Sequence, residues 1–243
     1  MPLTCAANAG FNLCNPGDRE NPQWRSPRGD NPHRPGPPMM KVALTGNVAS
    51  GKTMLARIWA GEGVPLISAD ELAREAVAPG TPGLRAVTAL LGPEAIKEDG
   101  TLDRDRARAM VFRDVSLRKE LEGILHPIIR GLRDDRMERA ARQGSQLVVA
   151  EIPLLFEVGL EGEYDVVVLV HASYEERLRR LTRIRGLDEE EARRILDSQI
   201  PSEEKLSRAS YVIRNDGSEE DLAVRALALL DLLRARAARR GVS

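Results

Sequence analysis

The sequence predicts an α/β protein in three α/β/α layers, built on a parallel five-stranded sheet and carrying a helical lobe and an arginine-rich lid. Three observations predict it. Short apolar runs at 42–44, 64–67, 147–152, 164–170 and 211–213 are separated by stretches with helical spacing of apolar residues, as expected of parallel strands joined by crossover helices. The first run leads straight into Gly46-Asn47-Val48-Ala49-Ser50-Gly51-Lys52-Thr53, which fits G-x-x-x-x-G-K-[ST]. Between the second and third runs, residues 81–143 read as helix almost throughout, which is too much helix for one simple crossover. Together these define the P-loop NTPase type of fold.

Length and charge bound the function. A chain of 243 residues can bury a substantial core without disulfides or metals. Lys and Arg number 36 against 37 Asp and Glu, which argues against broad electrostatic binding to nucleic acid or to an anionic membrane. The only cysteines, Cys5 and Cys14, precede the folded part, so no disulfide or cysteine zinc site is expected there and a cytoplasmic location fits. No apolar run approaches the ~20 residues that span a bilayer. A monomer or weak homo-oligomer is the expected assembly.

Residues 1–38 hold eight of the fifteen prolines and many Asn, Gly and Arg. Such a segment cannot bury enough apolar surface to offset its ordering entropy, so it reads as a disordered extension. It is either a passive tail, with Met39 or Met40 as the true beginning, or a partner-binding arm. Residues 39–240 form the main domain.

The first strand, Val42-Ala43-Leu44, delivers the chain to the glycine-rich turn, and Met54–Trp59 continues as helix. In such a turn Gly46, Asn47, Val48, Ala49, Ser50, Gly51, Lys52, Thr53 and Met54 offer backbone N–H groups and a helix N-terminus to a polyphosphate. The Lys52 ammonium meets phosphate oxygens, and the Thr53 hydroxyl meets Mg²⁺. The second strand, Val64–Ile67, ends just before Asp70, where ligands bind in open α/β sheets. Asp70 reads either as a pocket carboxylate or as the N-cap of the next helix.

Within the lobe, breaks fall near Gly92-Pro93 and Glu98–Gly100, and His126-Pro127 reads as the start of a new helix. His126 is a capping residue or a ligand contact. The strand Leu147–Ile152 ends with Glu151, the candidate carboxylate to hold Mg²⁺ directly or through water. Pro153-Leu154-Leu155-Phe156-Glu157 follows, with Leu154–Phe156 read as core or as substrate wall. After the strand Tyr164–Val170, five arginines fall in the nine residues from Arg177 to Arg185. They form either a solvated helix face paired with glutamates or a lid over a transferring phosphoryl group. The lid spans about 177–198, and an amphipathic helix closes the chain from Ser218 to about Arg240.

From Met40 to about Leu230 the chain resembles the dephospho-coenzyme A kinases. The resemblance rests on the Walker loop, Ile67-Ser68-Ala69-Asp70, the lobe with His126-Pro127, Pro153–Glu157, the lid ending in Gly186-Leu187, Arg194 with Gln199, Lys205 and Val212-Ile213-Arg214-Asn215. It departs in three places. Ser68 replaces the first aspartate of an Asp-Ala-Asp segment, Asn47-Val48-Ala49 stands where Gly-Ile-Gly is usual, and Ile184 occupies the usual lid-arginine position. The resemblance implies ATP-dependent phosphorylation of the ribose 3′-hydroxyl of dephospho-coenzyme A, the last step of coenzyme A synthesis. Lys52 would hold the donor phosphates, Asp70 would act on the acceptor hydroxyl, and one or more of Arg180, Arg183 and Arg185 would close over the γ-phosphate. His126, Pro153, Leu154, Leu155 and Phe156 would contact the acceptor, and Mg²⁺ would accompany ATP. The alternatives are another small-molecule P-loop kinase, acting on a nucleoside or nucleoside monophosphate, and a nucleotide-dependent switch. The chain has no Asn-Lys-x-Asp segment of the kind that usually reads guanine.

Overall fold

In the computed structural model, residues 39–240 are described, and the extension expected over 1–38 lies outside them. Five strands, β1 (Met40–Thr45), β2 (Leu66–Ser68), β3 (Leu147–Glu151), β4 (Val166–His171) and β5 (Tyr211–Arg214), form one parallel sheet. Its order is β2-β3-β1-β4-β5. The register sets Leu44 of β1 beside Glu151 of β3 and Val168 of β4, and Ser68 of β2 beside Glu151. The carboxyl ends of β1, β2 and β3 therefore meet along one edge of the sheet, where a doubly wound fold binds its ligands.

Alternation along β1 divides the core. Met40, Val42 and Leu44 face α1 (Lys52–Gly61) and α9 (Glu219–Arg240), packing with Leu55, Trp59, Leu222, Ala226, Leu230 and Leu233. The buried Trp59 indole satisfies its N–H by donating to the Ala226 carbonyl at 2.8 Å. Ala43 faces the other layer, where Val148 and Ala150 of β3 meet Leu72 of α2 (Ala69–Ala76) and Met137 and Ala140 of α5 (Val115–Arg142). These two clusters make the three layers.

The lobe consists of α3 (Pro82–Leu91), α4 (Arg104–Arg113) and the first half of α5. It has a separate apolar cluster of Val77, Leu84, Val87, Leu91, Ala95 and Ala107. The helix boundary expected at His126-Pro127 is absent, because α5 runs continuously with Pro127 inside it. An interior proline costs a helix ~3 kcal/mol, and tertiary packing offsets it here. Before Pro127, Leu117, Leu121, Ile124 and Leu125 pack on the lobe cluster; after it, Ile129, Leu132, Met137 and Ala140 pack on the sheet. Pro127 thus sits where one helix passes from one core to the next.

The lid region comprises α6 (Tyr174–Arg179), a π-helical turn at Arg180–Ile184 and α7 (Glu189–Asp197). Leu181, Ala192 and Leu196 form its core, with Val48 and Ala49 of the glycine-rich turn packed against them. A short α8 (Ser202–Arg208) leads into β5. No helix of the described residues is long and apolar enough to cross a membrane.

Candidate functional site

The turn between β1 and α1 has a backbone that few side chains could accept. A Cβ on Gly46 would stand 2.6 Å from the carbonyl oxygen of Val170, and one on Gly51, at φ 95°, would stand 2.0 Å from Nδ2 of Asn215. Ala49 adopts φ 59° and is the one non-glycine residue with positive φ among the described residues. That left-handed geometry costs an L-residue roughly 1–2 kcal/mol. Bonds from distant parts of the chain hold the turn in place. Val48 N–H donates to Gln199 Oε1 at 2.9 Å, Asn47 Nδ2 to the Ile200 carbonyl at 3.2 Å, and Asn215 Nδ2 to the Ser50 carbonyl at 2.8 Å. Arg180 Nη1 donates to the Ala49 carbonyl at 3.1 Å. Helix α1 begins at Lys52 with no side-chain cap, so the positive end of its dipole faces the turn.

The glycine-rich turn and Asp70 share one cavity. Residues 46–53, Asp70, Pro153, Arg185 and Gln199 line a space of about 380 Å³. Asp70 is not the N-cap of α2. That place belongs to Ser68, whose hydroxyl accepts from Glu71 N–H at 3.3 Å, leaving Asp70 in the first turn to face the cavity.

Two residues of this lining reach Glu151: Lys52 Nζ donates to its Oε1 at 2.6 Å, and Thr53 Oγ1 donates to the same oxygen at 3.3 Å. Among the described residues no group of three His, Cys, Asp or Glu side chains could enclose a metal ion. A hydroxyl and a carboxylate this close are hard oxygen donors. They suit Mg²⁺, which keeps several waters and takes one or two protein oxygens plus substrate phosphates.

A second cavity of about 570 Å³ adjoins the first and shares Ala49, Gly51, Thr53 and Arg185 with it. Met54, Arg57, Asn215 and Ser218 line its outer part. The structure separates the three lid arginines. Arg180 is committed to the scaffold: Nε donates to Glu176 at 2.8 Å and Nη2 to the Asn215 carbonyl at 2.8 Å, besides its bond to Ala49. Hydrogen bonds from Arg179, with a lesser contribution from the charge of Arg180, hold the Glu176 carboxyl below the ordinary carboxylate range against the opposing effect of burial. Arg185 lines both cavities, whereas Arg183 is exposed and lines neither.

His126 lines a third, mainly apolar cavity of about 200 Å³ between β2, β3 and α5. Ile67, Leu72, Ile129 and Ile152 form its walls, with Arg130 and Arg133 at the edge. Both arginines pair with Glu163, at 2.8 and 2.6 Å, and Arg133 lies over the Tyr164 ring at 5.9 Å. Burial raises the Tyr164 phenol above its ordinary range.

The Pro153–Phe156 turn only partly faces a cavity. Pro153 lines the cavity at the glycine-rich turn and its carbonyl accepts from Thr45 Oγ1 at 3.3 Å, while Leu154 is half exposed. Leu155 and Phe156, expected at the acceptor, are buried in the sheet core instead, because the turn folds back on the face that carries α5. The turn is held by Glu157, which accepts from the fully buried Lys205 at 2.7 Å, and by Arg208, which lies 4.6 Å over the Phe156 ring.

Sequence patterns left Arg57, Gln199 and Asn215 outside the candidate site. Arg57 carries a usable signal, since it follows Thr53 by four residues on one helix face. Gln199 and Asn215 are more than 150 residues from the turn they support; they stand in motifs that carry the family resemblance, but nothing local in the sequence ties them to the turn.

A family model described as dephospho-CoA kinase matches residues 40–221. A dephospho-CoA kinase of Corynebacterium glutamicum is 43% identical over 76% of this chain and 94% of its own length. The corresponding protein of Anaeromyxobacter dehalogenans is 42% identical over 83% of this chain and 96% of its own. Among solved structures, a Thermus thermophilus protein superposes with TM-score 0.70 at 38% identity, covering 80% of this chain and 98% of its own. A dephospho-CoA kinase from Campylobacter jejuni gives TM-score 0.62 at 28% identity over 79% and 96%.

Proposed function

The chain belongs to the dephospho-CoA kinase family, and from that premise we propose how its own residues divide the work. It is a kinase, with ATP as phosphate donor and the ribose 3′-hydroxyl of dephospho-CoA as acceptor, and its product completes coenzyme A synthesis. Phosphoryl transfer passes through a loose transition state, so the protein contributes mainly position and charge.

The backbone N–H groups of residues 46–53 and the start of α1 receive the β- and γ-phosphates, with the Lys52 ammonium against them. Their support is the turn's fixed backbone, which needs little rearrangement to accept an anion. Thr53 and Glu151 would hold Mg²⁺, which would neutralise charge on the phosphates. Arg185 lines both cavities, so it is the arginine assigned to the transferring group; Arg180 lines only the second cavity and ties down the turn through the Ala49 carbonyl. The second cavity, with Met54, Arg57 and Asn215, takes the nucleoside end of ATP.

Asp70 orients the acceptor hydroxyl and takes its proton as transfer completes. A carboxylate is a weak base toward an alcohol, so orientation is the larger contribution. The apolar cavity beside His126, with Arg130 and Arg133 at its rim, receives part of the acceptor.

The observation that carries this reading is the single cavity lined by both the Lys52 turn and Asp70. Incubation of the protein with dephospho-CoA and ATP-Mg²⁺, followed by mass spectrometry, tests it. One added phosphate on the acceptor is expected; ATP loss without an acceptor product would refute it.

A further inference from the structure

The Lys52 ammonium, assigned above to the donor phosphates, is bound elsewhere in this structure. Its Nζ lies 2.6 Å from Glu151 Oε1, in a pair whose side chains retain 13% and 11% of their exposure. The same carboxylate oxygen is within 3.3 Å of the Thr53 hydroxyl. One oxygen thus serves both groups that nucleotide binding must recruit. A cation beside Thr53 drawing on that oxygen would set a second positive charge against the Lys52 ammonium in a little-hydrated space, which weakens the Lys52 pair.

We propose that Glu151 is a positioning residue with two alternating partners: it parks Lys52 while the turn is empty, and releases it to the phosphates when a divalent cation arrives with the nucleotide and takes its place. This rests on the reading of the turn as the ATP site. Parking keeps the ammonium paired and the glycine-rich turn unobstructed. It also makes metal-free nucleotide a poor ligand, because an incoming polyphosphate must pull Lys52 away without supplying a replacement for Glu151. The chain thereby selects the metal-loaded donor before any chemistry takes place.

Fluorescence titration with mant-ATP, in EDTA and in excess Mg²⁺, tests the exchange without turnover. Glu151→Gln removes the charge that holds Lys52 and keeps the shape. It should bind metal-free mant-ATP about tenfold more tightly than the parent, because a hydrogen bond between charged groups no longer has to be broken. The gain in affinity from Mg²⁺ should shrink by about fivefold or more. Glu151→Asp draws the carboxylate back by one methylene and keeps an oxygen donor, so it should tighten metal-free binding while retaining the Mg²⁺ gain. It carries the test if the glutamine variant does not fold.

Loss of negative charge alone would also favour a polyanion, and a Lys52→Met background separates the two causes. If parking is the cause, Glu151→Gln changes metal-free affinity little once Lys52 is gone. An equal gain with and without Lys52, or no gain in either folded variant, overturns the proposal. A parent protein that binds no mant-ATP even in Mg²⁺ overturns the ATP-site reading itself, and the exchange with it.

Discussion

Lys205 offers a quantitative test of how the region around the site is held. Its ammonium is fully buried and pairs with Glu157 at 2.7 Å, and the Glu157 side chain keeps 21% of its exposure. Lys205→Met preserves most of the aliphatic stem and deletes the charge, leaving a carboxylate with little water and no cation. Breaking a buried pair in this way costs about 3–5 kcal/mol. The residual exposure of Glu157 places this case at the lower end, about 3 kcal/mol. For a domain of this size each kcal/mol lowers the melting temperature by about 2–4 °C, so a fall of about 6–12 °C is expected. Adding Glu157→Leu to Lys205→Met should recover most of the loss, because an apolar pair avoids the desolvation of two charges. Thermal unfolding followed by circular dichroism, with a urea titration on the same three proteins, gives the numbers. A single variant melting within about 2 °C of the parent, or a double variant no better than the single one, would refute the argument that this buried charge pair anchors the Pro153–Glu157 turn.

Asp70→Asn should leave ATP affinity nearly unchanged while lowering turnover by about 10²-fold or more, the contribution of a positioned acid–base group; unaltered turnover in a steady-state assay would contradict its role. Arg185→Ala should lower kcat by about 10²-fold, as for loss of one donor to developing charge, whereas Arg183→Ala should stay within about twofold, since that side chain faces solvent. Equal losses in the two would dissolve the distinction drawn from the cavities. His126→Ala should raise the KM for dephospho-CoA more than that for ATP, and an effect confined to ATP would move the acceptor elsewhere. The Asp216 carboxyl accepts from Ser173 N–H at 2.6 Å, which lowers it from the ordinary 3.8 against a smaller effect of burial. A depressed acid stabilises the fold fully above its ordinary value and loses that contribution as pH falls through the lowered one. Acid titration of stability should therefore be shallower below pH 3.8 for Asp216→Asn than for the parent, and identical curves would discount the bond.

Much of the architecture was legible because it is written in short-range patterns. Apolar runs and helical spacing located five strands and the closing helix, and the spacing from Gly46 to Thr53 specifies a phosphate-binding turn through glycine positions that local sterics demand. The exceptions share a cause. At Pro127 the local rule says helix boundary, yet apolar contacts on either side hold α5 continuous, so tertiary packing outweighs a local cost of ~3 kcal/mol. Leu155 and Phe156 follow a strand end and so resemble ligand contacts by position, but the direction of the turn after β3 buries them.

What the chain order settles alone is therefore the set of chemical parts: the lysine-bearing turn, carboxylates after β2 and at the end of β3, and an arginine-dense segment after β4. Which parts meet was decided only in three dimensions. Strand order and register bring Glu151 to Lys52 across 99 residues, and Asn215 to the Ser50 carbonyl across 165. The packing of α6 and α7 against Val48 and Ala49 makes Arg180 a scaffold residue and leaves Arg185 at the cavity. The physical reason is range. Backbone sterics and amphipathic spacing act between near neighbours in sequence, while hydrogen bonds and ion pairs act between neighbours in space, and only the folded sheet makes the second kind of neighbour.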